Sequence, residues 1–88
     1  MIRRHLVVHG QVQGVGYRYA CEDVAARLGV NGWVRNVPDG TVEVVLEGDE
    51  TAVDAMAAWV RQGPRLAEVT HVDIEDEEPE GLQGFVTR

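Results

Sequence analysis

Lysine is absent from this chain of 88 residues, and all eight basic residues are arginine. Without lysine the chain has no Walker phosphate loop, no Schiff base and no lysine general base. Fifteen Asp and Glu residues outnumber the arginines and give a formal net charge of −7. Because non-specific binding to nucleic acids and anionic membranes depends on positive surfaces, we predict neither as a partner. An anionic substrate would need a local positive site.

Cysteine and long apolar runs are also scarce. Cys21 is the only cysteine, so no disulfide can form within the chain, as is typical of a reduced, cytoplasmic protein. The opening residues MIRRHLVVHG hold no apolar stretch of the secretory kind, and no segment approaches the roughly 20 apolar residues that span a bilayer. We predict one domain over residues 1–88, since so short a chain builds one core. We also predict a cytoplasmic monomer, since the sequence shows no large apolar surface stripe.

Hydrophobic periodicity predicts two helices among short strands. Residues 2–9 alternate as in a strand with one buried face, and residues 17–28 carry apolar side chains at helical spacing up to Gly29. Two strands, 30–37 and 41–47, surround the turn Pro38-Asp39-Gly40. Asp49 is expected to cap a second helix that ends at Gly63.

The remaining chain predicts a fourth strand over about 66–75, in which the alternation slips between Val69 and Val72 and indicates a bulge. A short terminal strand follows around Phe85. The order of elements is that of an α+β, ferredoxin-like split βαβ sandwich. We expect an antiparallel sheet of four main strands plus the short terminal strand, with both helices on one face and water on the other.

The first candidate segment for chemistry is GQVQGVGYR, from Gly10 to Arg18. It lies where the first strand passes into the first helix, so its backbone N–H groups lack helical partners and meet the positive end of the helix dipole. Glycine lets such a loop wrap closely around an anion, and an arginine can hold two anion oxygens at once. A tight turn followed by a surface arginine remains the alternative.

The second candidate segment is GWVRNVPDGTVEVVLEG, from Gly32 to Gly48. A strand–helix–strand crossover returns the chain in its original direction, so Asn36 should lie at the same sheet edge as the 10–18 loop. By strand alternation Asn36 shares a face with Val34, whereas Arg35 points to the other face. An asparagine that bonds to its own turn backbone is the alternative.

Both segments resemble the signature sequences of the acylphosphatase family, and the similarity extends over nearly the whole chain, to the closing GFVTR. The resemblance implies hydrolysis of acyl phosphates to a carboxylate and inorganic phosphate. It implies that Arg18 and Asn36 are the catalytic residues, Asn36 by orienting the attacking water. The phosphate site that it implies consists of Gln13, Gly14, Val15, Gly16, Tyr17 and Arg18.

We predict that the reaction needs no cofactor and no metal. His5 and His9 share a strand face, but four strand residues span about 13 Å, too far for two ligands of one ion. Cys21 lies on the apolar stripe of the first helix and is expected in the core. Two other functions are alternatives: a non-catalytic anion-binding module, and an RNA-binding sheet, which the net charge of −7 opposes.

Overall fold

Five strands and two helices make up the computed structural model, which describes residues 1–88. The elements are β1 (Ile2–Gln11), α1 (Tyr17–Leu28), β2 (Asn31–Asn36), β3 (Val42–Gly48), α2 (Glu50–Gln62), β4 (Glu68–Glu77) and β5 (Phe85–Thr87). They form one sheet in the order β4-β1-β3-β2-β5. The four longer strands pair antiparallel, whereas β5 runs parallel to β2. The ferredoxin-like prediction is confirmed.

Helix α1 ends where its sequence predicts. Cys21 and Ala25 of its apolar stripe are buried, and Leu28 is exposed at the end of the helix. Gly29 follows with a φ of 73°, and its N–H donates to the carbonyl of Ala25. A left-handed residue of this kind closes a helix, and glycine adopts the conformation without a Cβ penalty.

Helix α2 buries the predicted stripe of Val53, Met56, Ala57 and Val60. Asp49 occupies the position before the helix, but its side chain makes no capping hydrogen bond, so that part of the expectation was wrong. The carbonyl of Asp49 instead accepts from the N–H of Val53. The helix ends at Gly63 as expected.

The predicted bulge lies in β4. His9 faces His71 across β1 and β4, whereas the next residue, Gly10, faces Val69, so Thr70 is the extra residue. A Cβ on Gly10 would lie 2.0 Å from the carbonyl oxygen of Glu68. The two strands can therefore approach at the bulge only because position 10 is glycine.

A cluster of 15 buried residues fills the space between the helices and the sheet. Leu6, Val8 and Val44 supply it from the sheet. Tyr17, the first residue of α1, is also fully enclosed, and its hydroxyl donates to the carbonyl of Val60 at 2.6 Å. This contact joins the start of α1 to the end of α2 and holds the first turn of α1 in place.

The second face of the sheet is not simply open to water, which corrects the sequence-based expectation. Trp33, Val45 and Glu47 project from this face and are buried. Glu47 bonds to Arg3 at 2.8 Å and accepts hydrogen bonds from three successive backbone N–H groups of residues 80–82. The segment between β4 and β5 therefore crosses this face, because a buried carboxylate attracts its free N–H groups.

No helix of the structure combines the length and the apolar character that crossing a membrane requires.

Candidate functional site

The ends of β1 and β2 lie at the same edge of the sheet. Val8 of β1 and Asn36 of β2 both pair with Val42 of β3, from opposite sides. Residues that pair in this way share a sheet face, so Asn36 lies on the face that carries the helices. Arg35 lies on the other face and bonds to Glu43 at 2.5 Å. The placement expected for Asn36 from strand alternation is thus observed.

Gln13 ties the 10–18 loop to this edge. Its side-chain amide donates to the carbonyl of Val37 at 2.8 Å and to the carbonyl of Thr41 at 2.9 Å. Both acceptors belong to the β2–β3 hairpin and flank its turn. The side chain of Gln13 therefore holds the loop against the hairpin.

The loop itself presents an open backbone surface. Val12 is buried and anchors its beginning. Gly14 and Gly16 have φ values of 75° and 76°, in the left-handed region, and a Cβ added to either would meet no atom within 4 Å. The glycines are thus required by backbone conformation, and the space above them is free.

The backbone N–H groups of residues 14–19 donate to no acceptor in the protein. The first hydrogen bond of this region runs from the N–H of Ala20 to the carbonyl of Gly16, at 3.0 Å. No side chain caps α1, and its first turn holds no acidic residue. Consecutive free N–H groups at a helix N-terminus form a concave site for an anion.

A cleft of about 300 Å³ opens beside these N–H groups. Its lining includes Gly14, Gly16, Tyr17 and Arg18. Arg18 forms no salt bridge, whereas four other arginines each have a carboxylate partner: Arg3, Arg4, Arg27 and Arg35. A free guanidinium and free N–H groups therefore share one cleft.

Tyr17 contributes to this cleft by its backbone and not by its hydroxyl. The hydroxyl lies in the core on the carbonyl of Val60, and burial raises the pKa of the phenol well above its ordinary value. The phenol is therefore neutral near neutral pH. Val15 packs partly against the core, and its backbone N–H has no acceptor in the protein.

The side chain of Asn36 makes no hydrogen bond within the protein, which removes the alternative that it bonds to its own turn. Asp39 is the residue that bonds to the turn. Its Oδ1 accepts from the N–H of Thr41 at 3.0 Å and from the hydroxyl of Thr41 at 2.6 Å. These bonds lower the pKa of the Asp39 carboxyl. Asn36 lies at the common sheet edge but does not itself line the cleft of Arg18.

Three residues of the cleft were not singled out by the sequence: Glu22, Thr87 and the exposed Tyr19. Glu22 and Thr87 line the same cleft as Arg18. The position of Glu22, four residues after Arg18 on the predicted helix, would have been a usable signal. Thr87 carries no such signal, because its place depends on the parallel pairing of β5 with β2.

The histidines lie on the second sheet face, away from the cleft. Nε2 of His5 is 2.5 Å from Glu43, whereas His9 and His71 both contact Asp73, at 3.0 and 2.6 Å. No group of three or more His, Cys, Asp or Glu side chains has a geometry that could hold a metal ion. Cys21 is fully buried on α1, and burial raises the pKa of its thiol to about 12.

Known proteins resemble this chain over nearly its whole length. A family model described as acylphosphatase matches residues 4–87. An acylphosphatase from Thermococcus kodakarensis is 57% identical over 84 residues, which are 96% of this chain and 92% of that protein. One from Trichormus variabilis is 54% identical, over 97% of this chain and 84% of that protein. The crystal structure of acylphosphatase from Bacillus subtilis has a TM-score of 0.96 at 34% identity and covers 100% of this chain and 99% of its own.

Proposed function

This chain belongs to the acylphosphatase family and hydrolyses acyl phosphates, and we propose that Arg18 and the N–H groups of residues 14–19 bind the phosphoryl group while Asn36 orients the attacking water. The observation that carries this assignment is the coincidence in one cleft of an unpaired guanidinium with N–H groups that have no acceptor. Both are donors that a phosphate can satisfy. Gln13, also expected at the phosphate, is assigned to loop positioning by its side chain.

The chemistry of an acyl phosphate requires few groups from the protein. Its leaving group is a carboxylate, whose pKa near 4 lets it depart without a proton from a general acid. What remains is to hold the phosphoryl group, offset its charge and align a water opposite the leaving oxygen. Arg18 and the loop N–H groups supply the first two, and each charge-assisted bond contributes roughly 1.5–3 kcal/mol.

Asn36 is proposed as the residue that aligns the water. An amide can donate to and accept from water but cannot remove its proton at neutral pH. A phosphate oxygen of the substrate is the proposed acceptor of that proton, because no histidine or carboxylate other than Glu22 lines the cleft. Glu22 is engaged by the hydroxyl of Thr87 at 2.9 Å. We propose that the reaction runs without a metal or another cofactor.

The protein is further proposed to be a cytoplasmic monomer. The lone thiol at Cys21 is buried, so it is not offered to another chain. Of the two edge strands, β5 has three residues, and β4 carries a run of carboxylates from Asp73 to Glu77. Short and charged edges oppose pairing between chains.

The test is the hydrolysis of benzoyl phosphate by the full chain with a chelator present. Arg18→Ala should lower kcat about 10²–10³-fold and raise KM, because a preorganised donor to developing charge is lost. Asn36→Ala should lower kcat by a similar factor with a small change in KM, because only the water loses its partner. Initial rates over a range of substrate concentrations measure both.

Two matched controls accompany these variants. Arg27→Ala removes an exposed arginine from the same helix, and Arg35→Ala removes the neighbour of Asn36 on the opposite face. Both should keep wild-type kinetics. A fully active Asn36→Ala would show that the water is held elsewhere, and a wild type that is inactive with chelator and active with added metal would refute the metal-free mechanism.

A further inference from the structure

Glu22 shares the face of α1 that carries Arg18. The two residues are four positions apart and line the same cleft. Opposite charges at this spacing on a helix are neighbours and ordinarily attract each other. Asp23 and Arg27, at the same spacing on the same helix, do form an ion pair, whereas Arg18 and Glu22 do not. The order of the charges contributes to the difference, since an acid before a base is the better pair on a helix. A contact from outside the helix also engages Glu22.

The hydroxyl of Thr87 supplies that contact. It donates a hydrogen bond to Oε2 of Glu22 at 2.9 Å. Thr87 itself is held by the sheet, since it faces Val34 in the parallel β2–β5 pair. The next residue, Arg88, donates its N–H to the carbonyl of Val34 at 2.9 Å, and its guanidinium carbon lies 4.5 Å from the centre of the Trp33 ring. The hydroxyl therefore occupies a defined place at the rim of the cleft.

We propose that Thr87 is a positioning residue for the phosphate site: by bonding Glu22 it keeps that carboxylate off the Arg18 guanidinium and leaves the guanidinium available to the substrate. This inference rests on the proposed role of Arg18. Without the hydroxyl, Glu22 competes with the phosphoryl group for the same donor. Both competitors are anions, so only one can occupy the fork of Arg18 at a time.

The size of the competition follows from the strength of an exposed helical ion pair. Such a pair is formed roughly two-thirds of the time when nothing else engages its members. The competent fraction of the enzyme then falls to about one-third, and the apparent affinity for phosphate falls about threefold. Saturating substrate displaces Glu22, so KM changes whereas kcat does not.

The experiment measures KM and kcat for benzoyl phosphate, and Ki for inorganic phosphate as a competitor, in the full chain. Thr87→Val removes the hydroxyl and keeps the branched shape that suits a strand. It should raise KM and Ki about threefold and leave kcat at the wild-type value. Thr87→Ser, which keeps the hydroxyl, should restore both constants. Thermal unfolding of each variant verifies that β5 stays attached.

The decisive comparison introduces Thr87→Val into Glu22→Gln. With the charge of Glu22 removed, loss of the hydroxyl should have no further effect on KM or Ki. If Thr87→Val raises KM equally in the wild type and in Glu22→Gln, Thr87 acts through strand packing and the inference is wrong. If Thr87→Val changes neither KM nor Ki in the wild type, the inference is also refuted.

Arg18→Ala separates this inference from the proposed function. If Arg18→Ala keeps the wild-type KM, the phosphate site itself is misassigned, and the inference falls with it. If Arg18→Ala is defective and Thr87→Val is silent, only the role of Thr87 is wrong.

Discussion

The arginines of this chain have different surroundings, and these surroundings give them different tasks. Arg3 is nearly enclosed and bonds to two carboxylates, Glu47 and Glu77, each at 2.8 Å. Arg35 bonds to Glu43 on the surface of the sheet. Arg18 is the one arginine that lines the cleft beside N–H groups without acceptors, and its guanidinium is unpaired. In a molecule with a net charge of −7, an anion needs such a local group of donors in order to bind.

Cys21 leads to a prediction on thiol reactivity. Because burial raises its pKa to about 12, almost no thiolate exists at pH 8, and the sulfur is also out of reach of reagents. We expect modification by a disulfide reagent at pH 8 to be at least about 100-fold slower in the folded protein than in urea. The absorbance of the released thiolate measures both rates. Equal rates would contradict the enclosed thiol.

At the scale of elements, Glu47 holds the segment between β4 and β5 against the sheet. Its carboxylate accepts from the N–H groups of Glu80, Gly81 and Leu82 and from the guanidinium of Arg3. This segment leads to β5 and so to Thr87 at the cleft. The hydrogen bonds of Glu47 thereby connect the second face of the sheet to the rim of the functional site.

Glu47→Ala is predicted to destabilise the fold by roughly 3 kcal/mol, because it leaves a nearly buried arginine and three N–H groups without their acceptor. Urea denaturation measures the loss. Glu43→Ala, four residues earlier on the same strand face, is the matched control and should cost about 1 kcal/mol or less, since its partners His5 and Arg35 reach water. Equal losses would contradict a special role for Glu47.

The stability that Glu47 contributes should also depend on pH. Burial alone would raise the pKa of its carboxyl, but the bonds from Arg3 and from three N–H groups outweigh burial and lower it below 4.5. A lowered pKa in the folded state means that the contribution is complete above pH 4.5 and is lost as the pH falls through the folded value. The difference in unfolding free energy between wild type and Glu47→Gln should therefore shrink on acidification from pH 6.

At the scale of the whole molecule, acidic residues are in excess and the net charge is −7. The radius of gyration of 11.6 Å is that expected of a folded chain of this length. Acidic side chains cover β4, one edge of the sheet, and the opposite edge is the short β5. Both the charge and the edges oppose association with a second copy.

Light scattering on a sizing column tests the proposed monomer. At neutral pH and low salt the mass should be 9.7 kDa at all concentrations up to about 1 mM. A mass twice as large, or one that rises with concentration, would contradict the proposal. Repeating the measurement in 0.5 M salt shows whether charge repulsion is what keeps the chains apart.

Most of the architecture could be predicted because it depends on local patterns. The stripe of α2, the end of α1 at Gly29 and the bulge at Thr70 each follow from residue spacing and glycine chemistry. The burial of Glu47 could not be predicted, because its outward place on an alternating strand indicated exposure. Its actual partners, Arg3 and the N–H groups of residues 80–82, lie more than 30 positions away along the chain in either direction.

The sequence by itself determined the family, the order of the elements and the two segments that meet at the sheet edge. The family follows from the resemblance of these segments to its signature sequences. Periodicity and crossover geometry are sufficient for the order of the elements and for the meeting of the segments, since both act within short stretches of chain. Only the tertiary structure decided which donors are free: the N–H groups of residues 14–19 without acceptors, Asn36 without a turn partner, and Glu22 held by Thr87. The physical reason is that a hydrogen bond is directional and short, so its presence depends on where distant parts of the chain come to lie.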